Sequence, residues 1–360
     1  MGKRAYNFNA GPAALPLEVL RKAEQELVDY KGIGMSIMEV SHRSAVYEEI
    51  HEQALQRVRQ LLQVPSGYQI LFMQGGASTQ FALIPLNLLK GDKLGSYVIT
   101  GSWAKKAAKE AEIAGRLHIA AQPEAYVKIP DFSSLELDEK SAYLHVTSNE
   151  TIEGIQYQQF PDSGSIPLIA DMSSDIMSRP IDVSQFGMIY AGAQKNLGPS
   201  GVTLVIVRED LIAEIPDHVP TMMRYDTHAS NNSLYNTPPV YSIYMMNLVM
   251  GWIEEQGGLS AVEQMNKEKT DLIYDCIDQS EGFYAGTAEP SSRSRMNITF
   301  RLATEELEQA FIKEAAAQGF VGLKGHRSVG GFRASTYNAV PYEHCKALRD
   351  FMQDFYQRHA

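Results

Sequence analysis

Cysteine is nearly absent from this sequence: Cys276 and Cys345 are the only two in 360 residues. Neither stands in a CxxC pair, so no zinc knuckle or dithiol redox motif is expected. Both fall in stretches with helical apolar spacing, where a thiol serves as a small buried apolar group. The lack of a disulfide framework points to the reducing cytoplasm. Long apolar runs are also missing. The longest, Val240 to Trp252, is broken by Ser242 and Asn247 and is too short to span a bilayer. Met1 to Tyr6 carries Lys3 and Arg4 but no apolar core behind them, unlike a secretory signal. Positive charge is in deficit, with 32 Lys and Arg against 43 Asp and Glu and a formal net charge of −11. That balance argues against nucleic acid or an anionic membrane as a partner, while leaving room for a local basic pocket. GxGxxG after a strand, GxxxxGK[ST], HExxH and GxSxG are all absent, so nucleotide-binding, zinc-protease and serine-hydrolase readings lack motif support. No internal repeat or low-complexity tract is present.

What is there alternates. Pro16 can open a helix through Leu17, Leu20 and Leu27 that stops near Gly32. Ser44 to Val64 has a helical stripe of Val46, Ile50, Val58 and Leu61. Short apolar runs at Tyr68–Met73, Ser96–Thr100, Ala142–Thr147, Pro167–Asp171, Met188–Gly192 and Thr203–Val207 read as strands, with helices at 79–89 and 104–114. Strands alternating with helices predict an α/β protein with a mixed, mainly parallel sheet flanked by helices. The last two strands, joined by a short turn, can be antiparallel. After about residue 250 the pattern becomes α+β. Ser260 and Glu263 are spaced as a capping box for a helix through Ile273 and Ile277. Asn297–Leu302 alternates as a strand, Thr304 can cap a helix ending at Gly319, and Pro341 opens a final helix.

Four features carry chemistry together. Asp171 ends an apolar strand; alone, it reads as a helix cap or turn residue. Lys195 sits in Ala193-Gln194-Lys195-Asn196-Leu197-Gly198-Pro199-Ser200-Gly201; alone, a loop lysine is normally solvated. Crowded by small residues, it loses solvation and becomes an amine able to attack a carbonyl. Gly75-Gly76-Ala77-Ser78-Thr79 stands between a strand and a helix, where free N–H groups suit a phosphate. Trp103 follows another strand and can stack on a flat ring. A phosphorylated pyridine aldehyde needs all four: amine, carboxylate for the ring nitrogen, N–H donors and an aromatic face.

At Asp171-Met172-Ser173-Ser174 and Ala193-Gln194-Lys195-Asn196 the sequence resembles the fold-type I, class V aminotransferases, which use pyridoxal 5'-phosphate. Further blocks at 7–13, 39–43, 148–154 and 325–335 extend the resemblance over essentially the whole chain. They are similar to the branch that moves the amino group of L-glutamate to 3-phosphohydroxypyruvate, giving O-phospho-L-serine and 2-oxoglutarate in serine synthesis. Members also serve pyridoxine synthesis.

The resemblance implies a large PLP-binding domain at 16–257 and a small domain made of 1–15 and 258–360. It implies that Lys195 bonds the cofactor covalently and that Asp171 pairs with the ring nitrogen. Thr151 would meet the ring hydroxyl, and Trp103 would stack. Ala77, Ser78 and Gln194 would hold the phosphate, joined by Asn236 and Thr237 from the other subunit of a cytoplasmic homodimer with shared sites. Where some members carry an arginine in the glycine turn, this chain has Ser78, which leaves neutral donors there.

Both amino-group partners carry an α-carboxylate and a distal anion, which calls for two cationic points; arginine forks suit them. By resemblance Arg333 takes the α-carboxylate, and His42, Arg43, His326 and Arg327 take the distal anion. The alternatives are a class V enzyme acting on a non-phosphorylated keto acid, a cysteine desulfurase and a PLP-binding scaffold without turnover. The desulfurase is disfavoured because it needs a loop cysteine.

Overall fold

Seven short apolar segments pair into one sheet in the computed structural model, which describes residues 4–360. Of the N-terminal stretch read above, residues 1–3 lie outside the described residues. In spatial order the strands are Tyr68–Met73, Thr203–Arg208, Met188–Gly192, Leu168–Asp171, Ser141–Thr147, Leu94–Val98 and Leu117–Ala121. Thr203–Arg208 runs antiparallel to both neighbours, and every other pairing is parallel. Strands buried on both faces need continuous apolar runs rather than alternation. Leu168–Asp171 and Met188–Gly192 are buried along their whole length.

Helices cover both faces. Ala45–Leu61 and Val240–Glu255 pack on one, through Ile50, Val58, Ile243 and Met250 against Phe72, Val146 and Ile189. Gly76–Leu88 and Ser102–Ile113 pack on the other, through Phe81, Ile84 and Ala107 against Tyr97, Tyr143 and Tyr190. The parallel arrangement has a functional consequence. The carboxyl ends of Tyr68–Met73, Leu94–Val98, Ser141–Thr147, Leu168–Asp171 and Met188–Gly192 meet at one edge, where open α/β sheets bind ligands.

A second core is built on the three-stranded antiparallel sheet of Ala285–Gly286, Asn297–Arg301 and Phe332–Ser335. Its centre is a cluster of Phe300, Phe311, Phe332, Phe351 and Phe355, supplied partly by helices Glu305–Ala317 and Tyr342–His359. Tyr6–Asn7 pairs in parallel with Phe320–Val321, and Phe8 is buried in the same cluster. Helix Leu259–Asp278 bridges the two cores: Val262 packs in the first, Ile273 and Ile277 in the second.

Several boundaries differ from expectation for local reasons. The first helix is Leu17–Gln25, not a helix to Gly32; Leu27 and Val28 are exposed, so no apolar stripe continues. The capping box at Ser260 does not form. Gly257 and Gly258, both at positive φ, turn the chain so tightly that the helix already starts at Leu259, with Gly258 as its cap residue. The helices after Gly75 and Gly101 likewise begin at Gly76 and Ser102. The edge strand Leu117–Ala121 was not anticipated, because its sequence lacks a clear period.

Candidate active site

Lys195 lies in the turn between the antiparallel strands Met188–Gly192 and Thr203–Arg208, on the edge where the parallel strands end. Its Nζ donates to Thr151 Oγ1 at 2.7 Å and stands 5.5 Å from the centre of the Trp103 ring. Burial pulls the amine down to about 8; Asp171 opposes the fall and Arg333 adds to it. A second buried lysine makes a useful contrast. Lys269 lines another cavity, of about 630 Å³, but its ammonium donates to the carbonyls of Tyr337, Asn338 and Val340 at 2.9, 3.2 and 3.1 Å. Burial pulls this amine down to about 8 as well, so the contrast lies in access: three carbonyls occupy the Lys269 ammonium, whereas Lys195 has one hydroxyl and an open pocket in front of it.

Asp171 closes its strand, paired in register with Thr147. Its Oδ1 accepts both the backbone N–H and the hydroxyl of Ser173, at 2.9 and 2.6 Å. Ser173 Oγ in turn accepts the Gly192 N–H at 3.0 Å, which ties the aspartate to the lysine strand. Asp171 Oδ2 receives no hydrogen bond from any described residue. Burial raises this carboxyl against the pull of Ser173 and Lys195. That oxygen is placed to accept from a cationic N–H.

The glycine turn has the shape of an anion cradle. Gly75 and Gly76 sit at φ 92° and 66°, and helix Gly76–Leu88 starts there without a side-chain cap. Ala77 and Ser78 are in its first turn. Together with Gln194, Thr151, Trp103, Asp171 and Lys195 these residues line one cavity of about 590 Å³, within the usual range for cofactor sites. The donor set fits a phosphorylated pyridine aldehyde: an amine, an aspartate oxygen without a partner, an indole face and an uncapped helix start.

Arg333 and His326 line the same cavity from the second core. Arg333 Nη1 donates to the Thr151 carbonyl at 3.0 Å, while its buried Nε has no partner among the described residues. His326 Nδ1 bonds Ser328 Oγ at 2.7 Å. Burial pushes this imidazole down, as do the like charges of Arg333, Lys106 and Arg327. The mouth of the pocket is therefore electropositive in an acidic protein.

Not every expected residue converges here. Arg327 is exposed and outside the cavity lining. His42 and Arg43 occupy a surface turn, with Arg43 Nε 3.5 Å from His42 Nε2. Asn236 and Thr237 lie on another surface segment, where the Thr237 carbonyl accepts from Gln74 Nε2 at 3.4 Å. None of these four lines the Lys195 pocket of its own chain. Four residues with no expected role do contribute: Ser173 under Asp171, Lys106 with Nζ 4.1 Å from the Trp103 ring centre, and the buried pair Glu150 and Glu153. Ser173 had a local signal, since a serine two residues after an aspartate forms an Asx turn. Glu150 and Glu153 stand in the 148–154 block without an assigned role, and Lys106 had no signal.

No cluster that could hold a metal and no helix long and apolar enough to cross a membrane occurs among the described residues. Residues 5–348 match the family model for class-V aminotransferases. The chain is 65% identical to the phosphoserine aminotransferase of Niallia circulans over 357 residues, covering 99% of both. It is similar to the structure of the phosphoserine aminotransferase from Bacillus circulans subsp. alkalophilus, with a TM-score of 0.98, 63% identity and full coverage of both chains. It is also similar to the PLP-bound phosphoserine aminotransferase of Trichomonas vaginalis, with a TM-score of 0.93 and 42% identity over 97% of this chain and 100% of that one.

Proposed function

The chain belongs to the class-V aminotransferases, and from that premise we propose that it moves the amino group of L-glutamate to 3-phosphohydroxypyruvate, using pyridoxal 5'-phosphate at Lys195. The observation that carries this reading is the meeting, in one cavity, of a deprotonatable amine, a carboxylate and an uncapped helix start beside Arg333. When bound, the cofactor supplies a carbonyl for amines and an electron-withdrawing ring.

This chain's residues do the rest. Lys195, pulled down to about 8, loses its proton far more readily than an ordinary lysine and carries the proton removed from the substrate Cα. Thr151 Oγ1 holds that amine in place. Asp171, anchored by Ser173, would offer its free oxygen to the ring N–H and keep it protonated. Trp103 would cover one ring face, and Ala77, Ser78 and Gln194 would hold the phosphate. Arg333 clamps the α-carboxylate with its guanidinium fork. His326 on the pocket wall would receive the distal anion, with Arg327 exposed beside it outside the lining, and the like charges around His326 favour a phosphate over an uncharged group. That charge argues against a non-phosphorylated acceptor. A related phosphorylated keto acid of pyridoxine synthesis would satisfy the same two contacts.

The proposal includes a cytoplasmic homodimer in which His42, Arg43, Asn236 and Thr237 complete the partner's site. In its favour, these four lie on the surface near exposed Met38 and Tyr235. The proposed domains are 16–257 and 1–15 with 258–360, supported by the two separate apolar cores. The deciding experiment offers glutamate with 3-phosphohydroxypyruvate, pyruvate or glyoxylate and follows 2-oxoglutarate. A strong preference for the phosphorylated acceptor is expected; equal use of pyruvate would sink the reading.

A further inference from the structure

Helix Ser102–Ile113 carries Trp103 into the Lys195 pocket, yet it has no side-chain cap from the residue before it, Gly101. Its first N–H groups are met instead by two carboxylates from one distant turn. Glu150 Oε2 accepts the Trp103 N–H at 3.1 Å, and Glu150 Oε1 accepts the Ala104 N–H at 2.9 Å. Glu153 Oε1 accepts the N–H and hydroxyl of Ser102 at 2.9 and 2.6 Å. Anions suit this end of a helix, where the macrodipole is positive and N–H groups lack intrahelical partners. The fit is close: a Cβ on Gly101 would lie 2.6 Å from the Glu150 carboxyl carbon and 2.6 Å from Glu153 Oε2. Glu150 is 0% exposed, an expensive place for a carboxylate unless it is fully used.

The turn between these two acids has two further contacts. Thr151 Oγ1 accepts from Lys195 Nζ, and the Thr151 carbonyl accepts from Arg333 Nη1. One short segment therefore touches the indole's helix, the amine and the substrate arginine.

We propose that Glu150 is a positioning residue for amino transfer: its carboxylate locks the first turn of the Trp103 helix to the Thr151 turn, so that indole, amine and Arg333 share one frame. The inference rests on the reading that Trp103 covers the cofactor ring. Glu150 acts through Trp103 and contacts no reacting atom. Burial, and Glu153 beside it, push the Glu150 carboxyl up, while the Trp103 and Ala104 N–H groups oppose the rise; each oxygen accepts one of those N–H groups, which is the bonding of the ionised form. The acid is held in balance by the helix it caps.

The sequence has two tryptophans, so a Trp252→Phe background isolates Trp103 emission. Acrylamide quenching of the full chain without cofactor reads the indole's exposure directly. Titration with pyridoxal phosphate, followed by the same emission, reads affinity without turnover. Glu150→Gln places an NH₂ against a backbone N–H and removes one of the two cap bonds. It is expected to raise the quenching constant about twofold and to weaken cofactor binding about tenfold, on the scale of one lost charge-assisted hydrogen bond, with unchanged far-ultraviolet circular dichroism. Should that protein not fold, Glu150→Asp keeps the charge but falls a methylene short of the helix, and the same two shifts are expected. Unmoved Trp103 quenching in either folded variant overturns the proposal, whatever happens to affinity. If the Trp252→Phe protein moved no amino group at all, the functional reading would fail while the quenching comparison still stood.

Discussion

Lys195 is the residue on which chemistry and stability pull against each other. Its amine titrates at about 8 in the folded chain, against an ordinary lysine value of 10.5. Below the folded value both states are protonated and the full penalty of burying the cation is present. Between the two values the unfolded chain binds more protons, so stability rises with pH across that window. Lys195→Met removes the penalty. Thermal melts of cofactor-free protein are expected to favour the variant over wild type near pH 7, and by less near pH 10. An advantage that is flat with pH would contradict a depressed amine. Arg333 makes a second residue-scale case. Its fork reaches the Thr151 carbonyl with one nitrogen and leaves a buried Nε without a partner among the described residues. Lysine cannot reproduce a two-pronged carboxylate clamp. Arg333→Lys is expected to raise KM for glutamate and for the phosphorylated acceptor about tenfold or more, through loss of bidentate hydrogen bonding. Steady-state kinetics with both substrates checks this, and a change confined to one substrate would show that the arginine serves only that one.

At the scale of elements, the glycine turn is constrained from two directions. Gly75 sits at φ 92°, and a Cβ there would lie 2.0 Å from Thr79 Oγ1. Gly75→Ala therefore meets both left-handed strain, about 1–2 kcal/mol, and a clash inside the first helical turn. The first turn must shift to relieve it, and its N–H groups move with it. Equilibrium titration with pyridoxal phosphate is expected to show affinity lowered about tenfold or more, equal to or above that strain energy. Fluorescence-monitored binding indistinguishable from wild type would mean that this turn does not hold the phosphate. The sequence offered the turn only as a candidate, because strand–Gly–helix junctions are common in α/β folds and this one gains meaning beside the lysine and aspartate. It did not reveal how the neighbouring helix is capped. The Trp103–Glu150 and Arg333–Thr151 bonds join residues 47 and 182 positions apart, and no local pattern encodes such a pairing.

The whole molecule raises the question of what completes the site. His42, Arg43, Asn236 and Thr237 belong to surface segments outside the pocket of their own chain. Shared sites predict complementation between dead variants. Lys195→Ala and Arg43→Ala proteins, each with little activity, are mixed after unfolding and refolded together. Random pairing gives half heterodimers, each with one intact site, so activity should recover to about a quarter of wild type. No recovery, with dimers present by sedimentation, would assign Arg43 to its own chain's site or to none.

Sequence alone determined the α/β class, allowed an antiparallel pair of strands around Lys195, and marked Lys195 and Asp171 as the candidate amine and carboxylate. Each of these is written in short-range periodicity or in a motif a few residues long. Tertiary structure decided what supports them: Ser173 under Asp171, Glu150 behind Trp103 and Lys106 beside the indole. It also separated Lys269, equally buried but saturated with carbonyls, from Lys195, which faces an open pocket. Those outcomes depend on where strand ends and helix starts meet in space, and hydrogen-bond partners across a sheet edge leave no trace in the spacing of the chain.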